Sequence, residues 1–134
     1  MRLTLDACVA VAAVQTQEPT HAAAKLRVAR VVAGDDEMVV PALFQVEVAS
    51  ALTRAGWDAA GVATYVDTLI SCASHVVTIG PRSARAIQRI AMKTRLRAAD
   101  AAYVWVASRE HAPLVTLDQE VLTRGGTQCE VEAP

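Results

Sequence analysis

The sequence predicts a three-layer α/β/α sandwich built on a parallel sheet of four to five strands. Three observations predict it. Short apolar runs of strand length alternate with helical segments along all 134 residues. Those runs are rich in Val, Leu and Ile, as strands covered on both faces are. No repeat, linker or low-complexity tract breaks the alternation, so residues 1–134 read as one domain with a core of useful size.

The elements follow in order. Leu3–Leu5 is an apolar run ending at Asp6, the first strand. Val9–Val14 is a short Ala/Val-rich helix, and the polar stretch Gln15–Thr20, with Pro19, is a loop. A helix from Thr20 or His21 through Val32 is expected to bury Leu26, Val28 and Val32 and to expose Lys25, Arg27 and Arg30. Gly34-Asp35-Asp36-Glu37 is an acidic turn before a second strand, Met38–Val40. Pro41 suits a first helical position, because its missing N–H would be unpaired there, and Gly56 suits the stop. Asp58 is a good N-cap for a helix to about Ala73. His75–Ile79 reads as the third strand, closed by Gly80-Pro81. Arg82–Thr94 is helical, with Ala84, Ile87 and Ala91 expected inside, and a further helix runs from about Ala98 to Glu110. Leu114–Leu117 is the fourth strand, ending at Asp118, and Gln119–Thr123 a short helix. After the Gly125-Gly126 turn, Cys129–Val131 reads as a fifth, edge strand.

Composition narrows the function classes. Apolar residues make up 53% of the chain, so it folds, and aromatics only 4%, so Ala, Val, Leu and Ile build the core. The formal net charge of −1 leaves only a local patch to recognise a polyanion. Cys8, Cys72 and Cys129 lie far apart without a CxxC, which reads as reduced thiols in an intracellular, cytoplasmic protein. The start MRLTLDACVAVAAV has the apolar character of a signal peptide. Asp6 interrupts it and Arg2 is its only basic residue, so a strand running into a helix is the better reading. No stretch reaches about 18 apolar residues, so no membrane span is expected. His21, His75 and His111 lack metal-ligand spacing, which argues against zinc. No Gly-x-x-x-x-Gly-Lys or Gly-x-Gly-x-x-Gly is present, so nucleotide-loop enzymes are excluded.

Four acids stand where the local pattern does not favour solvent charge. Glu47 lies beside the apolar face of PALFQVEVASALTRAG, with no Lys or Arg within four residues. Such a carboxylate is costly unless paired, protonated or bound to a cation. Asp100 shares a helical face with Tyr103, Val104 and Ala107. Asp6 and Asp118 end strands at the edge where open α/β sheets bind ligands. Each has a plainer role open to it: Asp118 as a helix cap, Asp6 as a turn residue, Asp100 as a cap near a helix start, Glu47 as a structural acid. If the four converge, two carboxylates about 4 Å apart repel by about 4 kcal/mol at an effective dielectric of 20. A cation or protons must then neutralise them, and an all-oxygen set suits Mg²⁺ or Mn²⁺. Such a centre does phosphoryl chemistry, by acidifying a water and stabilising charge on phosphate oxygens. From Thr68 to Ala99 there is no acid, yet six of the 13 basic residues fall there: Arg82, Arg85, Arg89, Lys93, Arg95 and Arg97. The first four form a stripe that runs toward Asp100 and fits an RNA backbone. A merely solvated helix face is the alternative.

These motifs together resemble the PIN-domain ribonucleases, in particular the VapC toxins of toxin–antitoxin pairs. LDACVAV resembles the opening strand with its aspartate, Asp6, and VVPALFQVEVASAL the strand–Pro–helix segment with its glutamate, Glu47. LRAADAAYVWVA resembles the helix carrying the third acid, Asp100. LVTLDQEVL resembles the strand ending in Thr-x-Asp, Thr116 and Asp118. The resemblance implies a PIN-like fold and a Mg²⁺- or Mn²⁺-dependent endoribonuclease acting on an RNA substrate. It implies that Asp6, Glu47, Asp100 and Asp118 hold the metal and position the attacking water, while Thr116 orients neighbouring carboxylates. It also implies a cognate antitoxin that blocks the site, and a homodimer. One departure stands out: two residues after the first acid the family usually has Ser, Thr or Asn, and this chain has Cys8, whose thiol is a weak donor.

Two rivals are weighed on the same residues. An unrelated Mg²⁺-dependent phosphatase of the haloacid-dehalogenase type requires Asp-x-Asp after the first strand, and here the residues are Asp6-Ala7-Cys8. A PIN-like scaffold that binds RNA or a partner without cutting it fits Cys8 but not the full set of four acids.

Overall fold

A computed structural model describes all 134 residues. Five strands form one parallel sheet: β1 (Arg2–Leu5), β2 (Glu37–Pro41), β3 (Ala73–Val77), β4 (Leu114–Val115) and β5 (Val131–Glu132), in the order β3-β2-β1-β4-β5. Seven helices surround it: α1 (Ala7–Ala12), α2 (His21–Ala33), α3 (Leu43–Arg54), α4 (Ala59–Cys72), α5 (Pro81–Thr94), α6 (Ala98–Glu110) and α7 (Gln119–Arg124). This is the expected α/β sandwich. Helices α1 to α4 pack among themselves, whereas α5 packs on α6, and α6 lies across β1 and β2.

Alternation along the strands explains why both faces are covered. Met38 and Val40 of β2 enter the main core with Leu3, Leu5, Phe44, Val48 and Leu52. Val39, pointing the other way, packs with Val77 and Val106 in a second cluster. Helix α6 is enclosed almost all round: Ala101 to Val104, Val106 and Ala107 are buried, which is why its sequence shows no clean polar face.

Four expectations are corrected. Pro41 does not start a helix; it is the last residue of β2, paired with Val77, and α3 begins at Leu43. The third strand sits two residues earlier than expected, at Ala73–Val77, because α4 ends at Cys72 and the chain enters the sheet at once. On α2, Leu26 and Val32 are 66% and 49% exposed, and Ala24, Val28 and Val31 are buried instead. The buried stripe follows 24-28-31, which Ala24 masks in a reading that ranks side chains by size. On α5, Ala84 is exposed and Ile87 carries the contact. Gly56, with φ of +95°, does stop α3 as expected, and the Asp58 carboxylate caps α4 through the Gly61 N–H at 2.7 Å.

The strand order also fixes where a ligand would lie. From β1 the chain builds outward to β2 and β3, then returns to add β4 and β5 on the other side. The direction reverses between β1 and β4, and the crevice of an open parallel sheet opens beyond the carboxyl ends of such a pair.

Candidate functional site

A cleft of about 840 Å³ opens at that point, and Asp6, Glu47, Asp100 and Asp118 all line it. Asp6 follows β1 directly and Asp118 is the third residue after β4. Glu47 lies on α3, on a face formed with Ser50, Ala51 and Arg54, all lining the cleft. Asp100 lies in the first turn of α6, three residues after the N-cap Arg97.

Asp6 and Asp118 are each doubly employed. Asp6 is the N-cap of α1, only 6% exposed: Oδ1 accepts from the Cys8 N–H at 3.3 Å, and Oδ2 accepts from Thr116 Oγ1 at 2.6 Å. Asp118 caps α7: Oδ1 accepts from the N–H groups of Glu120 and Val121 at 2.8 and 3.3 Å. Thr116 ties the two together, because its Oγ1 also accepts from the Asp118 N–H at 3.1 Å. The cap expected of Asp118 is therefore filled, Asp6 turns out to cap α1 rather than to sit in a plain turn, and the cap open to Asp100 is not realised, since Arg97 is the N-cap of α6. Cleft exposure is added to these roles rather than excluded. A carboxylate has about four acceptor positions, so capping leaves some free.

Cys8 Sγ lies 3.6 Å from Thr116 Oγ1 and accepts from the Leu117 N–H at 3.4 Å. Burial, with the Asp6 charge adding to it, pushes the thiol up to about 12, which favours the neutral thiol in the metal-free cleft.

Glu47 and Asp100 show what crowding does to the acids. Burial raises the Glu47 carboxyl above its ordinary value, and the charges of Asp6 and Asp100 raise it further. The Tyr103 hydroxyl stands near enough to favour the carboxylate, yet no hydrogen bond closes between them: Glu47 Oε1 and Tyr103 Oη are both buried without a partner. Burial also raises Asp100, helped by Asp118 and Asp6 and opposed by Arg97.

Arg97 is the cation at the centre of this arrangement. Its Nε donates to Asp100 Oδ2 at 3.3 Å and its Nη2 to Asp118 Oδ2 at 3.0 Å, although the side chain is 73% exposed. Arg95 places it there. Arg95 ends α5 in the left-handed region at φ of +59° and turns the chain into α6, with buried Leu96 anchoring the turn. Arg97 is legible in the sequence as part of the basic run, but not as a cleft residue. Arg54, which also lines the cleft, carries no sequence signal of its own; Tyr103, read on the same helical face as Asp100, is buried beneath the cleft beside Glu47 rather than in its lining.

As the side chains stand, no three His, Cys, Asp or Glu residues are gathered closely enough to share one ion. The donor chemistry nonetheless fits a hard divalent cation: every acid offers oxygen, and Glu47 Oε1 is a buried acceptor in want of a partner.

An acidic cleft at the switch point of a parallel five-stranded sheet defines a class of α/β protein, and the sequence itself identifies the family. The PIN domain model matches residues 3–125, and the chain belongs to that family. PIN domains are generally nucleases and generally use divalent metals. A search of curated proteins finds none that matches this chain's sequence. Among solved structures, the chain is similar to PAE2754 from Pyrobaculum aerophilum, with 20% identity and a TM-score of 0.70 over 98% of this chain and 83% of that one. It is also similar to VapBC2 from Rickettsia felis, solved with a DNA fragment from the pair's promoter. There the identity is 12% and the TM-score 0.73, over 100% of this chain and 99% of that one. At such identities the likeness concerns the fold. No helix is long and apolar enough to cross a membrane.

Proposed function

We propose that this chain is a Mg²⁺- or Mn²⁺-dependent endoribonuclease, the toxin of a toxin–antitoxin pair, and that Asp6, Glu47, Asp100 and Asp118 hold the metal. The single observation that carries the reading is that four acids from four separate segments line one cleft at the switch point of the sheet. Like charges gathered from distant parts of a chain repel, and a function that requires them explains why they are kept.

The cation would supply an acidified water and neutralise charge on the phosphate oxygens. The chain's own residues do the rest. Thr116 fixes Asp6 and the backbone of Asp118 in one register. Glu47, on the cleft face of α3 with a buried unpartnered oxygen, would hold the cation and keep the water in place. Arg54 and Arg97 at the cleft and the exposed Arg82, Arg85, Arg89 and Lys93 of α5 meet the polyanionic backbone. Likeness to VapBC2, a pair by its printed name, supports an antitoxin partner for this chain, and the family resemblance supports a homodimer.

A non-cleaving PIN-like scaffold is the second reading, favoured by Cys8 where the family usually has Ser, Thr or Asn. Incubation with total cellular RNA in Mg²⁺, Mn²⁺ or EDTA separates the two. The nuclease makes new RNA ends with either metal and none in EDTA. Intact RNA in all three, with the protein folded, favours the scaffold, and cleavage that persists in EDTA refutes the metal-dependent reading.

A further inference from the structure

We infer that Arg97 is a built-in counter-ion that competes with the divalent cation for Asp100 and Asp118. The inference rests on the metal-centre reading above and adds to it a residue that sets how tightly the metal is held.

One guanidinium spans two acids that belong to different elements, the first turn of α6 and the N-cap of α7. Its two contacts fall on Oδ2 of each acid. Asp118 Oδ1 is already taken by two N–H groups of α7, so Oδ2 is the oxygen it has left for a cation. A metal bound there and the guanidinium therefore want the same oxygen, and their like charges exclude each other at close range. Arg97 is also built to leave. Its side chain is largely exposed, no apolar pocket holds it, and its backbone is fixed by the αL turn at Arg95, so only the side chain has to swing. A lysine could not take its place, because an ammonium is a point charge without the planar fork that reaches two carboxylates at once.

Competition of this kind has a quantitative signature. If the closed arrangement is favoured by the amount expected of two solvent-exposed ion pairs, the apparent metal affinity falls by about fivefold relative to a chain without it. Relief of that competition is the readout, and it requires no RNA.

The test is calorimetric titration of MnCl₂ into the full chain as wild type, Arg97→Gln, Arg97→Lys and, as a charge-matched control away from the cleft, Lys25→Gln. The expected result is a Kd about fivefold lower for Arg97→Gln, a lower Kd also for Arg97→Lys, and an unchanged Kd for Lys25→Gln. A thermal melt gives an independent readout: Arg97→Gln melts below wild type without Mn²⁺, and the gap closes when Mn²⁺ is saturating. If Arg97→Lys binds as wild type does, distant charge alone is at work and the inference fails. Equal Kd values for wild type and Arg97→Gln also overturn it while leaving the metal centre intact. If none of the four proteins binds Mn²⁺, the metal centre and the competition fall together. A melting gap unchanged by Mn²⁺ makes Arg97 a purely structural residue.

Discussion

Thr116 shows most plainly how single atoms hold the cleft together. Its hydroxyl donates to Asp6 and accepts from the backbone of Asp118, so one buried oxygen registers β1 against β4. Thr116→Val keeps the shape and removes both bonds, leaving a buried carboxylate short of a donor. A loss of about 2 kcal/mol in urea unfolding is expected, together with weaker Mn²⁺ binding, whereas Thr116→Ser should restore both. At this scale much of the cleft was legible in advance. Asp6, Glu47, Asp100 and Asp118 stand out because each is a charge in a locally apolar setting. Arg97 and Arg54 were not legible as cleft residues, because an arginine at a helix end is ordinary until its neighbours from other elements are known.

Among the elements, α5 and α6 do separate tasks. Helix α6 is enclosed and positions Asp100; α5 covers it and turns Arg82, Arg85, Arg89 and Lys93 to solvent. None of these four has an acidic partner within salt-bridge range, so reversing them breaks no ion pair. Arg85→Glu/Arg89→Glu is expected to weaken RNA binding by at least about tenfold and to flatten its salt dependence by about two counterions, while folding stability changes by less than about 0.5 kcal/mol per site. Fluorescence anisotropy across a salt series checks it, and an unchanged slope would return the stripe to a solvated surface. The elements themselves were read well where caps spoke, as at Asp58 and Gly56. They were read poorly where packing decided: Leu26 is large and apolar yet exposed, and Ala24 is small and enclosed. The third strand was misplaced because Ala73 continues the apolar face of the preceding helix and reads as its end, and only the pairing of Met38 with Ala73 makes it sheet.

For the molecule as a whole, acid stability follows from a buried acid outside the cleft. Asp36 is buried, its side chain 1% exposed, and it binds Arg30 through both oxygens at 2.8 and 3.1 Å and the N-terminal ammonium at 3.2 Å. Arg30's hydrogen bonds above all hold its carboxyl down at about 2. A depressed carboxyl stabilises the fold above its unfolded pKa, near 4, and that contribution is lost as pH falls through 2. Asp36→Asn should therefore melt below wild type at pH 7, by about 2 kcal/mol, and the gap should narrow steeply as pH falls toward 2; a gap at pH 2 as wide as at pH 7 would contradict the assignment. Light scattering at tens of micromolar should give a dimer mass, and a monomer would refute the assembly expected from the family. The central claim is that the four acids hold a metal that cuts RNA, and one side-by-side assay tests it most directly. Wild type and Asp100→Asn, both shown folded by circular dichroism, are incubated with total cellular RNA and Mn²⁺. Cleavage by wild type that falls at least about 10²-fold in the variant is the predicted result. Undiminished cleavage by Asp100→Asn would contradict the account, because the RNA would then be cut without an acid on which the proposed centre depends.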